Sequence, residues 1–171
     1  ARLRTNSESL TGVSIKNPTA DYSKGVAITS SIYPDKVTHI EPVRYEAGSD
    51  LMSLLATVFT RAASPLKRPL LWLWNIIRHP VMAARATWPF GWAKRTIILL
   101  VMQTLDNSGR AYCKRSWWWP FSHRLASRPE SRRDKIPACI PQAQEATETL
   151  AHITNGIPQN AVNEVLLNIG T

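Results

Sequence analysis

Two cysteines in 171 residues, Cys113 and Cys139, exclude a disulfide scaffold, and they form no Cys-x-x-Cys pair. Their scarcity fits a reducing compartment, so the expected setting is cytoplasmic or peripheral to a membrane. Glycine is scarce too: the seven present are nowhere spaced as Gly-x-Gly-x-x-Gly or as a Walker loop. That excludes a dinucleotide or triphosphate cradle within these residues. No nucleophile elbow or zinc-helix motif occurs, and His39, His79, His123 and His152 lack metal-ligand spacing. The apolar stretch Leu70-Leu71-Trp72-Leu73-Trp74-Asn75-Ile76-Ile77 is far short of the roughly 20 residues a spanning helix needs. No internal repeat and no charged leader with an apolar core is visible. A chain opening Ala-Arg-Leu-Arg and stopping at Thr171 nevertheless reads as an excerpt, which leaves secretion open.

Acidic residues are also few. Twelve Asp and Glu against 21 Lys and Arg give a net charge of +9 and a pI near 10.1, which predicts attraction to polyanions, either nucleic acid or anionic lipid. At 44% hydrophobic, the chain has enough apolar material for one domain's core.

The pattern along the chain is α+β. Residues 26–33 and 37–45, joined by Pro34-Asp35-Lys36, read as antiparallel neighbours. Ser49 or Asp50 can cap a helix carrying Leu51, Met52, Leu54, Leu55, Val58 and Phe59 as a core-facing stripe. A second helix is expected from Ser64-Pro65 to about Arg78, and a shorter one after Pro80 towards Trp88. Trp72, Trp74, Trp88 and Trp92 mix here with Lys67, Arg68, Arg78 and Arg85. That composition suits a helix lying in a membrane interface and equally suits tryptophans packed on a core with solvated cations. Thr96-Ile97-Ile98-Leu99-Leu100-Val101-Met102 is apolar throughout, as for a central strand buried on both faces.

From Asp106 to Pro141 the sequence is basic and irregular. Trp117-Trp118-Trp119 beside Arg124, Arg128, Arg132, Arg133 and Lys135 fits a single-strand nucleic-acid surface, lipid headgroups or a solvated loop. A helix over 142–153, stopped by Gly156 and Pro158, and a strand over 162–169 complete the pattern. The whole chain, 1–171, divides into strands and a hairpin (1–48), helices (49–92), a buried strand (93–107), a basic aromatic loop region (108–141) and a terminal helix and strand (142–171).

One acid stands out. In Val37-Thr38-His39-Ile40-Glu41-Pro42-Val43-Arg44-Tyr45, strand alternation puts Val37, His39, Glu41, Val43 and Tyr45 on one face. An apolar wall disfavours the Glu41 carboxylate and a protonated His39 favours it, which is how a general base is tuned. The alternative is an edge strand with Glu41 solvated or paired with Arg44. Glu164, at a strand entrance beside Asn163, is expected to be exposed.

Several segments occur together and in order: Arg4-Thr5-Asn6-Ser7-Glu8-Ser9, Gly25-Val26-Ala27-Ile28-Thr29-Ser30-Ser31, Thr38-His39-Ile40-Glu41-Pro42-Val43-Arg44-Tyr45, Leu99-Leu100-Val101-Met102-Gln103-Thr104-Leu105-Asp106-Asn107 and Asn163-Glu164-Val165-Leu166-Leu167-Asn168-Ile169. The set resembles the bacterial cholesterol oxidase branch of the glucose-methanol-choline oxidoreductase family. The likeness covers nearly the whole chain and is least specific over 110–135. It implies an FAD-dependent enzyme that oxidises a hydroxysteroid or another lipid alcohol, with a substrate domain built on a mixed, largely antiparallel sheet. By motif, Glu41 matches the family's active-site glutamate, the base that moves a proton during double-bond isomerisation. His39 is a candidate to orient it, and Asn6 a candidate flavin contact. The family's glycine-rich FAD loop and its flavin-facing histidine and asparagine have no counterpart here. The expected reading is therefore an internal substrate-domain fragment, inactive alone, with a sterol substrate and peripheral membrane contact preferred to nucleic acid. The competing class is a non-enzymatic basic module that binds anionic lipid or nucleic acid.

Overall fold

The structure is a computed structural model that describes residues 2–4, 7–61, 63–64, 66–106, 108–115, 122–129 and 139–167. Its centre is a five-stranded sheet of order β3-β5-β2-β8-β4, built from β2 (Ser9–Ile15), β3 (Thr38–Val43), β4 (Ala56–Val58), β5 (Thr96–Gln103) and β8 (Gly156–Ala161). A second sheet, β1-β6-β7, joins β1 (Arg2–Arg4) to a hairpin of β6 (Ser108–Arg115) and β7 (His123–Pro129). Every strand pairing among the described residues is antiparallel. With the helices α1 (Lys67–Arg78), α2 (Pro80–Thr87), α3 (Trp92–Arg95) and α4 (Pro141–Ile153), the expected α+β class holds.

Alternation sorts the main sheet into two faces. One carries Ile40, Leu99 and Val101, which pack with Ile140 and Ala143 at the start of α4. Thr147 of α4 reaches the same face, its hydroxyl 2.6 Å from that of Thr11. At the other end of the sheet, Val58 and Ile157 pack with Ala86 of α2, backed by Trp72 and Ile76 of α1. β8 carries Pro158 opposite Val13 of β2 and one residue beyond the end of its pairing with β4 at Gln159.

The end of α1 at Arg78 and the opening of α2 on Pro80 match the helical pattern, since a proline fits the first turn but cannot continue a helix; Pro65 lies outside the described residues. Residues 26–33 meet β3 only at the bridges Ile28–Val43 and Ile32–Ile40. They are antiparallel neighbours without a full ladder. The Asp35 carboxylate turns the chain between them by accepting the Val37 and Thr38 N–H groups at 2.9 and 2.7 Å.

Other expectations are corrected. The helix proposed after Gly48 is a 3₁₀ turn, η1 (Ser49–Leu55), and its Leu51 and Leu54 are exposed. Thr57 and Val58, β-branched, instead extend into β4 against β8. β5 is interior but buried on one face only, with Ile98, Leu100 and Met102 half-buried on the other. Within the region read as an irregular loop, 108–115 and 123–129 pair as a hairpin; 116–121 and 130–138, which hold Trp117, Trp118, Trp119, Arg132, Arg133 and Lys135, lie outside the described residues. The terminal strand is displaced: Gly156–Ala161 forms it, and Asn163–Leu167 is a π turn.

Candidate active site

The half-buried face of the main sheet floors an apolar groove. Leu10 and Gly12 of β2, Ile98 of β5 and Ala161 of β8 form the floor, and Tyr45, Met52, Leu55 and Trp92 close over it. Gly12 permits a close approach, because a Cβ there would lie 3.0 Å from both the Ile97 carbonyl oxygen and Ile98 Cδ1. Tyr45 and Trp92 place their ring centroids 5.9 Å apart, tilted by 33°. At about 120 Å³ the groove is smaller than the roughly 300–1,000 Å³ of a complete ligand pocket.

One carboxylate fixes two of its sides. Asp50, in η1, accepts the Gly91 N–H at 3.0 Å and the Ala93 N–H at 2.9 Å, so it straps the turn bearing Met52 and Leu55 to the helix bearing Trp92. The Ala93 bond, with the Gly91 bond and the charges of Arg95 and Lys94, holds the Asp50 carboxyl below its ordinary value against the effect of burial. Gly91 turns into α3 at a φ of 70°, a left-handed angle that glycine adopts without strain.

Glu41 shares this face. It pairs with Leu100, which also pairs with groove-lining Leu10, and directly opposite residues in antiparallel strands point the same way. Ile98, two residues along β5 from Leu100, is its diagonal neighbour, at about 7–8 Å. The same strand face runs on through Val43 to Tyr45, which closes over the groove. Glu41 is thus a half-buried acid on the sheet face that floors the groove, beyond the residues that line it. It is not paired with Arg44, whose guanidinium donates to the Lys24 carbonyl at 2.5 Å. His39 lies one pleat further along the face. Its ring stacks on Tyr33 at 5.8 Å and borders a separate depression with Arg4, Met102 and Asp106. No hydrogen bond joins His39 to Glu41 among the described residues. Asn6 lies outside them.

Glu164 is a correction: it is fully buried, 1% exposed, and faces Arg68, 0% exposed, at 3.9 Å. Its Oε1 accepts the Leu10 N–H at 2.9 Å, and Arg68 donates to the Glu164 carbonyl at 3.1 Å and to the Thr60 carbonyl at 3.4 Å. This network pins the start of β2, and so the groove floor, to α1. Burial pushes the Glu164 carboxyl above its ordinary value, opposed by the Ser9 hydroxyl, the Leu10 N–H and Arg68. An acid whose value is raised on folding contributes most below its unfolded value, and that contribution is lost as pH climbs through the raised one. The stability of Glu164→Gln relative to wild type is therefore expected to rise as pH climbs above the ordinary carboxylate range, until the raised value is passed. Urea titrations of the intact protein at several pH values measure this, and a flat difference would show that burial does not govern Glu164.

The FAD implied by the family likeness does not find its pyrophosphate cradle among the described residues. No α-helix among the described residues longer than four residues opens directly on a glycine turn: Gly91 leads only into the four-residue α3, and α1, α2 and α4 follow Leu66, His79 and Ile140.

Comparison with known proteins agrees with the residue pattern. The chain is 44% identical over 168 residues to a cholesterol oxidase of Acinetobacter baumannii, an alignment covering 98% of this chain and 30% of that protein. It is 38% identical over 172 residues to cholesterol oxidases of two Mycobacterium tuberculosis strains, CDC 1551 / Oshkosh and H37Rv, covering 97% of this chain and 29% of each relative. No family model and no solved structure matches it. The chain thus spans about 30% of the length of the curated relatives it matches. With the motifs around Glu41 in order and the likeness running through 98% of its residues, this chain matches a segment of cholesterol oxidase-like proteins.

Proposed function

We propose that these residues are the steroid-binding part of an FAD-dependent oxidoreductase that converts a 3-hydroxysteroid to a ketone and moves its ring double bond. The observation that carries the reading is Glu41 on the same sheet face as an apolar groove roofed by Tyr45 and Trp92. A flat hydrocarbon laid on Leu10, Gly12 and Ile98 is desolvated there, and its oxygen-bearing end meets the one carboxylate of that strand face.

The chemistry assigned to this chain is proton transfer. Once the hydroxyl is a ketone, the CH₂ between carbonyl and ring double bond is acidified by both. A carboxylate beside it takes that proton and returns it at the far end of the alkene, with no net change of charge. Flavin, which accepts the two electrons of the alcohol oxidation, is held mainly by other parts of the longer protein. The segment alone is accordingly inactive. Asn6 belongs to this proposal as a flavin contact and His39 as a support for Glu41. A non-enzymatic basic module is less favoured because it gives the groove and its acid no task.

Ile98→Trp tests the groove by filling it opposite Gly12. In the intact protein it is expected to raise KM for a 3-hydroxysteroid about tenfold while bound flavin is unchanged, since the contact is made equally in ground and transition states. An unaltered KM would place the steroid elsewhere. Absence of steroid oxidation by intact wild-type protein would end the reading.

A further inference from the structure

Two polar side chains on the apolar groove are each buried with one atom unpartnered. Gln159 of β8 lines the groove and stands directly opposite Gly12, so its side chain shares the face of the floor. It is 1% exposed, and its Nε2 donates to the Ala86 carbonyl at 2.5 Å, which fixes the amide and turns Oε1 the other way. That oxygen accepts no hydrogen bond among the described residues. Trp92, in the roof, is also 1% exposed, and its indole N–H has no acceptor among them. Trp72 shows the usual outcome for a buried indole, its N–H reaching Thr57 Oγ1 at 2.6 Å.

A buried donor and a buried acceptor left unpaired weaken a fold, and a groove that keeps both has a use for them. Here the acceptor is on the floor and the donor is in the roof. Both side chains are enclosed by residues of this segment, so whatever pairs with them enters along the groove. A ligand that reaches them widens the groove, which is too small for a whole steroid as it stands. A hydroxyl satisfies both atoms, donating to Gln159 Oε1 and accepting from the Trp92 N–H; a ketone serves Trp92 alone, and a hydrocarbon serves neither. In the sheet order β3-β5-β2-β8, Gln159 lies three strands from Glu41, about 14 Å at the usual strand spacing. An acid on one side and a donor-acceptor pair on the other suit a rigid apolar body that carries oxygen at both ends.

We infer that the groove selects a hydroxysteroid bearing a second hydroxyl at the end furthest from the one oxidised, with Gln159 and Trp92 as the residues that read it. This rests on the steroid reading and narrows it, from hydroxysteroids in general to a steroid diol in preference to a steroid whose far end is hydrocarbon. No bond changes at that end: the second hydroxyl is bound, and its two hydrogen bonds set how far the steroid slides towards Glu41. A trapped water would satisfy the same two atoms without reading the ligand, and it has apolar neighbours in Leu10, Gly12 and Ile98 where a buried water normally finds further polar partners.

The experiment uses the intact protein and three 3-hydroxysteroids that are alike except on the ring furthest from that hydroxyl, where one carries a hydroxyl, one a ketone and one a methyl group. For wild type, kcat/KM is expected to fall about tenfold from hydroxyl to ketone and about tenfold again from ketone to methyl. The change should lie mostly in KM, because a contact remote from the reacting carbon is made equally in ground and transition states. Trp92→Phe keeps a ring in the roof and deletes the N–H, and it should make the ketone and methyl steroids equivalent. Gln159→Met keeps the length and deletes the acceptor, and it should make the hydroxyl and ketone steroids equivalent. Equal kcat/KM for all three steroids in wild type overturns the inference and leaves steroid oxidation standing. So does wild-type selectivity in both variants, or a uniform loss on all three steroids, which is what a merely structural role predicts. Oxidation of none of the three overturns the inference together with the steroid reading. If Gln159→Met does not fold, Trp92→Phe decides alone.

Discussion

In the intact protein, Glu41→Gln is expected to keep its flavin and still oxidise a 3-hydroxysteroid, while isomerised ketone falls by about 10²–10⁴-fold, the usual contribution of a positioned general base. The amide matches the carboxylate in shape and cannot take a proton, so the groove is left intact and only the transfer is lost. Glu41 sits on a strand whose neighbour β5 fixes its register through six residue pairs, so the substitution has little room to rearrange the face. Chromatographic separation of the two ketone isomers from one reaction reads both steps. Accumulation of the unisomerised ketone is the predicted signature. Isomerisation at the wild-type rate would remove Glu41 from the site and leave the groove as a binding surface only.

The second large effect concerns stability. Arg68→Met is expected to cost about 3–5 kcal/mol, because it strips the cation from a carboxylate that is itself fully buried. It also takes donors from the Glu164 and Thr60 carbonyls. The paired change Arg68→Met/Glu164→Gln should recover most of that loss, since an apolar and a neutral side chain of similar volume bury no net charge. Urea unfolding of the three variants gives the coupling energy directly. A single variant within about 0.5 kcal/mol of wild type would show that the pair is not desolvated in the intact protein. The same cycle weighs the burial that raises Glu164's value against the Arg68 charge that lowers it: if burial dominates, Glu164→Gln alone gains stability towards neutral pH even though it discards the ion pair.

These two acids were legible in the sequence to very different degrees. Glu41 announced itself because alternation of period two puts Val37, Glu41, Val43 and Tyr45 on one face, and β3 keeps that alternation. Glu164 did not. Local pattern assigned it to a strand entrance in solvent, yet it lies in a π turn beneath β2, 154 positions from the Leu10 N–H it accepts. No local pattern reports a partner at that separation, nor that Arg68, on a helix full of exposed apolar residues, is the residue turned inward. Trp92 and Asp50 were hidden for the same reason, since their joint task depends on η1 and α3 meeting.

By itself, the sequence determined the α+β class, the break between α1 and α2 at Pro80, the strand character of residues 96–103 and the family likeness carried by Thr38-His39-Ile40-Glu41-Pro42. Each is local chemistry: proline geometry, β-branched runs, alternation, or a contiguous motif. Only the tertiary structure decided that residues 56–58 leave the expected helix to pair with β8, that one face of β5 stays open as a groove, and that Glu164 is buried. Those outcomes turn on which distant segment arrives as a neighbour, and burial of a charge or of a sheet face belongs to the pair of segments that meet.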